Sequence, residues 1–129
     1  MKDYNLETAK FLNQLSHVVI AVVDEDYKPW AVPVRIKKLD GLQIEWDSHT
    51  KARHSLAIAH EPHIALTAFV SKGDEWDETG VYIEAEVVEI EPIHDEFARY
   101  KAHIRAVWYN DAEHVKRSVD LDELSPLLT

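Results

Sequence analysis

The sequence predicts a small antiparallel β-barrel with flanking helices, and three observations predict it. Short β-branched or alternating segments recur at 18–23, 30–38, 42–47, 64–70 and 79–91. The pair Asp40-Gly41 separates the second from the third, as a tight hairpin turn does. A helical segment at 50–60, stopped by Pro62, stands between the third and the fourth. Five strands, or six, arranged in this mostly β, Greek-key-like order suggest a closed or partly closed barrel; a sandwich is the alternative.

Each element has its own warrant. Leu6, Ala9, Leu12 and Leu15 recur at helical spacing, so 4–15 reads as an amphipathic helix, broken by Ser16-His17. Residues 18–23 are apolar without interruption, which reads as a strand buried on both faces. In the second strand Val32, Val34 and Ile36 share one face, and Pro33, Arg35 and Lys37 the other. After the hairpin Leu42, Ile44 and Trp46 alternate with Gln43, Glu45 and Asp47. The stretch 72–78 is an acidic loop carrying Trp76. The long strand 79–91 changes its apolar face near Val88 and Ile90, which marks a bulge or a bend. Ile93, Phe97, Tyr100 and Ile104 fall at i, i+4, i+7 and i+11 and read as a second amphipathic helix; the tail from Asp111 is polar with an apolar end and takes no assignment.

Composition bounds the function. The 129 residues fit one domain, 1–129, with an ordinary globular share of apolar and charged residues. There is no cysteine, so neither a disulfide framework nor a thiolate metal site is available, and a reducing, cytoplasmic setting is expected. The longest apolar run is six residues, against about 20 for a membrane span. The N-terminus carries no secretion-signal pattern. A formal net charge of −10 repels nucleic acid and acidic membranes, so an anionic ligand needs a local island of positive charge.

That island has two parts. Arg35, Lys37 and Lys38 lie on the second strand, and Ser48-His49-Thr50-Lys51-Ala52-Arg53-His54-Ser55 opens the middle helix. A helix start offers unpaired N–H groups and partial positive charge, to which hydroxyls and basic side chains add donors, so this segment can cradle a phosphate without glycines. On spacing alone a plainer reading is favoured, in which Ser48 or Thr50 is a helix cap and Lys51 and Arg53 are a solvated face.

The order of motifs tips that balance. Trp30-Ala31-Val32-Pro33-Val34, the Asp40-Gly41 turn, Ile44-Glu45-Trp46-Asp47-Ser48, and the run from Thr50 through Pro62 to Leu66 resemble the pyridoxamine 5'-phosphate oxidase-like, FMN-binding split-barrel superfamily, and among its members the small, general-stress-protein-like ones. That pattern has a Val-Pro-Val strand, a hairpin, a Ser/Thr–basic loop and a short helix ending in Asn-Pro; here Glu61 stands where the Asn is usual. Element order agrees over roughly 4–105, and Ala31 to Leu66 is closely patterned.

The resemblance implies a split barrel, FMN as cofactor, and a homodimer with two flavins at its interface. Carried over by position, phosphate contacts fall on Ser48, Thr50, Lys51, Arg53 and His54. Contacts to the flavin ring fall on Pro33, Val34 and Arg35, with Trp46 at the ring or ribityl edge. The implied activity is that of an oxidoreductase in which a donor such as a nicotinamide reduces the flavin, with no protein residue acting as acid or base. Authentic vitamin B6 oxidases carry a C-terminal segment rich in Trp, Arg and His that grips the substrate, and this chain ends without one, so pyridoxine phosphate is not the expected substrate. A non-catalytic flavin- or haem-binding stress or redox module, a deazaflavin site, and a cofactor-free scaffold are the other readings. The eight histidines form no metal-ligand pattern: Pro62 separates His60 from His63, and His49 and His54 are five apart. No Gly-x-Ser-x-Gly elbow and no calcium-loop spacing occurs.

Overall fold

The computed structural model describes residues 2–71, 73 and 78–129; apart from Gly73 and Glu78, the acidic loop around Trp76 lies outside the described residues. The chain opens with α1 (Tyr4–Asn13), and Asp3 caps it by accepting the N–H groups of Asn5 and Leu6. Eight strands follow: β1 (His17–Val23), β2 (Pro29–Arg35), β3 (Lys38–Asp40), β4 (Gln43–His49), β5 (His63–Ser71), β6 (Glu78–His94), β7 (Phe97–Asn110) and β8 (Lys116–Ser118). Helix α2 (Arg53–His60) sits between β4 and β5, and α3 (Leu121–Leu124) lies near the C-terminus.

All strands join one antiparallel sheet in the order β2-β1-β5-β6-β7-β4-β3, with β8 on β7. The ends of that order, β2 and β3, are halves of one extended segment, which is why the sheet curls into a barrel. The handover occurs at two consecutive amides. The Ile36 N–H donates to the Ser16 carbonyl beside β1, and the Lys37 N–H donates to the Glu45 carbonyl on β4. The expected single strand 30–38 is therefore two, serving opposite edges, and together with β7 and β8 this raises the count above five or six.

The hairpin at Asp40-Gly41 forms as expected, with Gly41 at φ +58° and Asp40 paired with Gln43. β1 departs from its expectation. Val18, Ile20 and Val22 are buried, but Ala21 and Val23 are exposed on the outer face. An antiparallel barrel strand faces the core on one side only, and among the described residues no element covers the other. The predicted helix over 93–104 is instead strand β7. Ala98, Tyr100, Ala102 and Ile104 point inward, and Arg99, Lys101, His103 and Arg105 point outward. Irregular pairing between Glu84 and Ala85 then shifts the inward set to Val107 and Tyr109. The helical spacing is coincidental: Ile93 and Phe97 are exposed on either side of the β6–β7 turn, while Tyr100 and Ile104, four residues apart, share the inward face of a strand as readily as one face of a helix. The expected bulge near Val88 is present, between Val87 and Glu89.

The core runs through the barrel, with Ile20, Trp46, Val81, Ala102 and Leu124 fully buried. The tail packs rather than trails. Val119, Leu124 and Leu128 are buried, and Asn13 of α1 donates to the Leu127 carbonyl and accepts the Thr129 N–H. Among the described residues no helix is long and apolar enough to cross a membrane.

Candidate functional site

Two features frame the site: an open seam in the barrel and the start of α2. The seam follows from the handover. β2 is hydrogen-bonded to β1 along its whole length, and no ladder pairs it with β4. Backbone direction alternates along a strand. The Ile36 amide turns to β1 and the Lys37 amide to β4, so the polar backbone groups of Ala31, Pro33 and Arg35 face the β4 side. Pro33, which has no N–H, fits here because its nitrogen faces away from the β1 ladder. Pro33 and Arg35 have exposed side chains, and Val34 points into the core.

β4 delivers the second feature. Ser48 lies on its buried face, and its Oγ is 3.0 Å from His54 Nε2, which ties β4 to the first turn of α2. Burial holds the half-buried His54 imidazole below the ordinary histidine value of 6.5. The Thr50 N–H donates to the Glu96 carbonyl at 2.7 Å, pinning the loop to the β6–β7 turn. Helix α2 begins at Arg53, later than the sequence suggests. Its N-cap is Ala52, and no side chain caps it, whereas Asp3 and Asp120 cap α1 and α3. The expectation that Ser48 or Thr50 caps α2 is thereby corrected.

The cations of this region all have carboxylate neighbours. Glu96 reaches Lys51 Nζ at 2.7 Å and His49 Nε2 at 3.1 Å. Arg53 lies 3.8 Å from Asp24, and its guanidinium rests on the Trp30 ring, 4.2 Å from the centroid. Asp24 is itself fixed by the N–H groups of Lys28 and Asp26, and these bonds hold its carboxyl below the usual carboxylate range. Lys51, Arg53 and His60 line a cavity of about 620 Å³ with Asp24, Glu25, Asp26 and Leu56.

The predicted site residues therefore fall into three groups. Thr50, Lys51 and Arg53 come together around the α2 start. Pro33 and Arg35 lie on the seam, with Arg35 five strand positions from Trp30, about 17 Å along β2; the expectation that Arg35 joins Arg53 on one phosphate is corrected. Trp46, Val34, Ser48 and, in part, His54 form the wall behind them. Trp46 is fully buried and stacked on Tyr100 at 5.9 Å with an interplanar angle of 10°, so it offers no surface to a ring edge. Among the described residues two buried polar atoms, Trp46 Nε1 and Ser55 Oγ, have no hydrogen-bond partner. The sequence reading missed Trp30 and Asp24, which flank Arg53 only because the β1–β2 turn folds over α2. Among the described residues no cluster of His, Asp and Glu has the arrangement of a metal site.

No family model matches the chain, and no curated protein is detectably similar to it in sequence. Solved structures are similar in fold. A heme binding protein from Mycobacterium smegmatis superposes with a TM-score of 0.79 at 13% identity, over 98% of this chain and 61% of that one. A protein related to general stress protein 26 of B. subtilis, of the pyridoxinephosphate oxidase family and from Clostridium acetobutylicum, gives 0.73 at 14% identity, over 94% and 96%. A FAD-binding protein from Mesorhizobium loti gives 0.66 at 12% identity, over 79% and 90%. This chain spans about three-fifths of the length of the mycobacterial protein. These neighbours are split-barrel proteins of the pyridoxamine 5'-phosphate oxidase-like kind, and the eight-stranded sheet with its three helices has their fold.

Proposed function

We propose that this chain binds FMN, with the ring along the β2–β4 seam and the phosphate at the start of α2, and that it acts as an oxidoreductase on a small molecule other than pyridoxine phosphate. The observation that carries the reading is the seam itself. It presents backbone polar groups of Ala31, Pro33 and Arg35 without strand partners, a pattern that suits the alternating donors and acceptors on a flat heterocycle. The uncapped helix start, with Lys51 and Arg53 beside it, stands one strand-length away and suits a phosphate.

The flavin supplies hydride chemistry when bound. The residues of this chain bind and orient. Lys51 and Arg53 exchange their contacts with Glu96 and Asp24 for the phosphate, and Thr50 adds a hydroxyl. Ser48 and His54 hold the first turn of α2 against β4. Arg35 places a positive charge on the seam, where it favours an electron-rich, reduced ring.

A second copy of the chain completes the assembly in this reading. The outer face of β1, β2 and β5 exposes Ala21, Val23, Pro29, Ala31, Ala65 and Phe69, an apolar sheet surface next to the seam. A stable dimer buries about 1,600 Å² in total. The similarity to a heme binding protein favours one alternative, a haem-binding, non-catalytic module in the cytoplasm. The absorption spectrum of the purified protein separates the two: flavin bands support the proposal, a Soret band the alternative. FMN titration read by flavin fluorescence follows. Arg53→Ala and Lys51→Ala each weaken binding about tenfold to a hundredfold, since a charged contact contributes about 1.5–3 kcal/mol. Absence of FMN binding at tens of micromolar overturns the assignment.

A further inference from the structure

If the α2 start binds a phosphate, as proposed above, the residue that orders its arginine is Trp30. Arg53 is held in an unusual way. Its guanidinium lies 4.2 Å from the centroid of the Trp30 ring, and its one described ion pair, to Asp24, is loose at 3.8 Å. Asp24 is not free to close in, because its Oδ1 accepts the N–H groups of Asp26 at 2.9 Å and Lys28 at 3.0 Å. A guanidinium stacked on an aromatic face is fixed by its flat side, and the N–H donors in its plane remain unspent. Trp30 can serve as a platform because it stands in β2, paired with Val22, while its side chain stays 40% exposed. Arg53 also lines, together with Lys51, the cavity of about 620 Å³.

We propose that Trp30 is a positioning residue: its indole face holds the Arg53 guanidinium ready to receive a phosphate monoester, so that binding does not have to order a long, mobile side chain. Asp24 acts on the other side as a fixed counter-charge, keeping the fork near the phosphate position without consuming its donors. The role acts through Arg53 and depends on the aromatic face, not on the bulk of the side chain.

The test is a double-mutant cycle. FMN and inorganic phosphate are titrated by calorimetry against wild type, Trp30→Val, Trp30→Phe, Arg53→Ala and the double variant Trp30→Val/Arg53→Ala, with a thermal melt recorded for each. Trp30→Val is expected to weaken binding about twofold to fivefold, the range of a cation–π contact at an exposed site. Trp30→Phe keeps a face and restores most of the affinity. In the Arg53→Ala background the Trp30 substitution has no further effect, which a merely structural role does not produce. Should Trp30→Val fail to melt cooperatively, Trp30→Thr, equally suited to a strand, replaces it. Unchanged affinity in the ring-free variant, or an equal loss in both backgrounds, overturns the proposal and leaves the phosphate site standing. Binding of inorganic phosphate without FMN overturns the flavin reading alone, and the Trp30 series is then scored on phosphate. Failure of wild type to bind either one overturns both.

Discussion

Glu96→Gln should tighten phosphate-ester binding, although it removes a residue that the ligand need not touch. Glu96 holds Lys51 Nζ at 2.7 Å and His49 Nε2 at 3.1 Å, so a phosphate that recruits Lys51 must first break that contact. The Lys51 side chain is 71% exposed and that of Glu96 50%, which places the pair in the solvent-screened class worth about 0.2–1 kcal/mol. Releasing that amount to the ligand raises affinity about 1.4-fold to fivefold. The loop itself should not change, because the Thr50 N–H is bonded to the main-chain carbonyl of Glu96 and not to its carboxylate. FMN titration at low and high salt is the assay, and the gain shrinks as salt rises. Glu91→Gln is the control: it deletes the same charge from the same hairpin, where Glu91 holds Lys101 at 2.8 Å, away from the cradle. No gain in Glu96→Gln, or an equal gain in Glu91→Gln, refutes the claim that Glu96 competes with the ligand for Lys51.

Three further outcomes are expected. Burial sets the His54 pKa below its ordinary 6.5, so the unfolded chain binds more protons in the window beneath that value, and stability falls as pH drops through it; urea unfolding of Trp-containing wild type and His54→Gln from pH 8 to pH 5 should show a weaker slope in the variant. Ala31→Glu puts a charge in the middle of the exposed apolar face of β2 and should turn a dimer into a monomer in sedimentation while leaving the melting temperature of the monomer unchanged; a variant that stays dimeric moves the interface elsewhere. Trp46→Ala should cost about 3–5 kcal/mol in denaturant unfolding, as removal of a fully buried aromatic does; a cost under about 1 kcal/mol would show that Trp46 is not packed in the core.

The sequence was most legible where independent physical rules point to the same element. The alternation of Leu42, Ile44 and Trp46 with polar neighbours, and the Asp-Gly turn before it, fix β3 and β4 because side-chain period and turn chemistry agree there. It misled where two rules overlap. In β7 Tyr100 and Ile104 are four apart, a spacing that fits one face of a strand and one face of a helix alike, and the exposed Ile93 and Phe97 at the preceding turn complete a helical pattern by coincidence. The continuous apolar run of β1 indicated burial of both faces, but a sequence does not distinguish a face covered by its own chain from one left for another. At the site, the basic residues were visible and their carboxylate neighbours were not. Asp24 meets Arg53 from 29 positions away and Glu96 meets Lys51 from 45, and neither separation leaves a local pattern.

Those hidden carboxylates change where affinity must come from. With Glu96 on Lys51, Asp24 near Arg53, and Glu25 and Asp26 lining the same cavity, the cradle holds no surplus of positive charge before any ligand arrives, in a chain whose net charge is −10. A phosphate alone gains only the difference between its own contacts and those it displaces, so free phosphate should bind weakly there. Among the described residues the seam has no such internal competitor. Its backbone groups at Ala31, Pro33 and Arg35 are turned away from β1 and toward a strand that does not pair with them, so a ring that bonds to them displaces only water. The two halves of the site thus divide the work: the seam favours a planar heterocycle, and the cradle selects, among such rings, the ones that carry a phosphate about one strand-length away. On this argument riboflavin should bind more weakly than FMN by no more than the net contribution of the cradle, while inorganic phosphate should compete poorly with either. A site in which phosphate competes as well as FMN would place the affinity in the cradle and contradict the division.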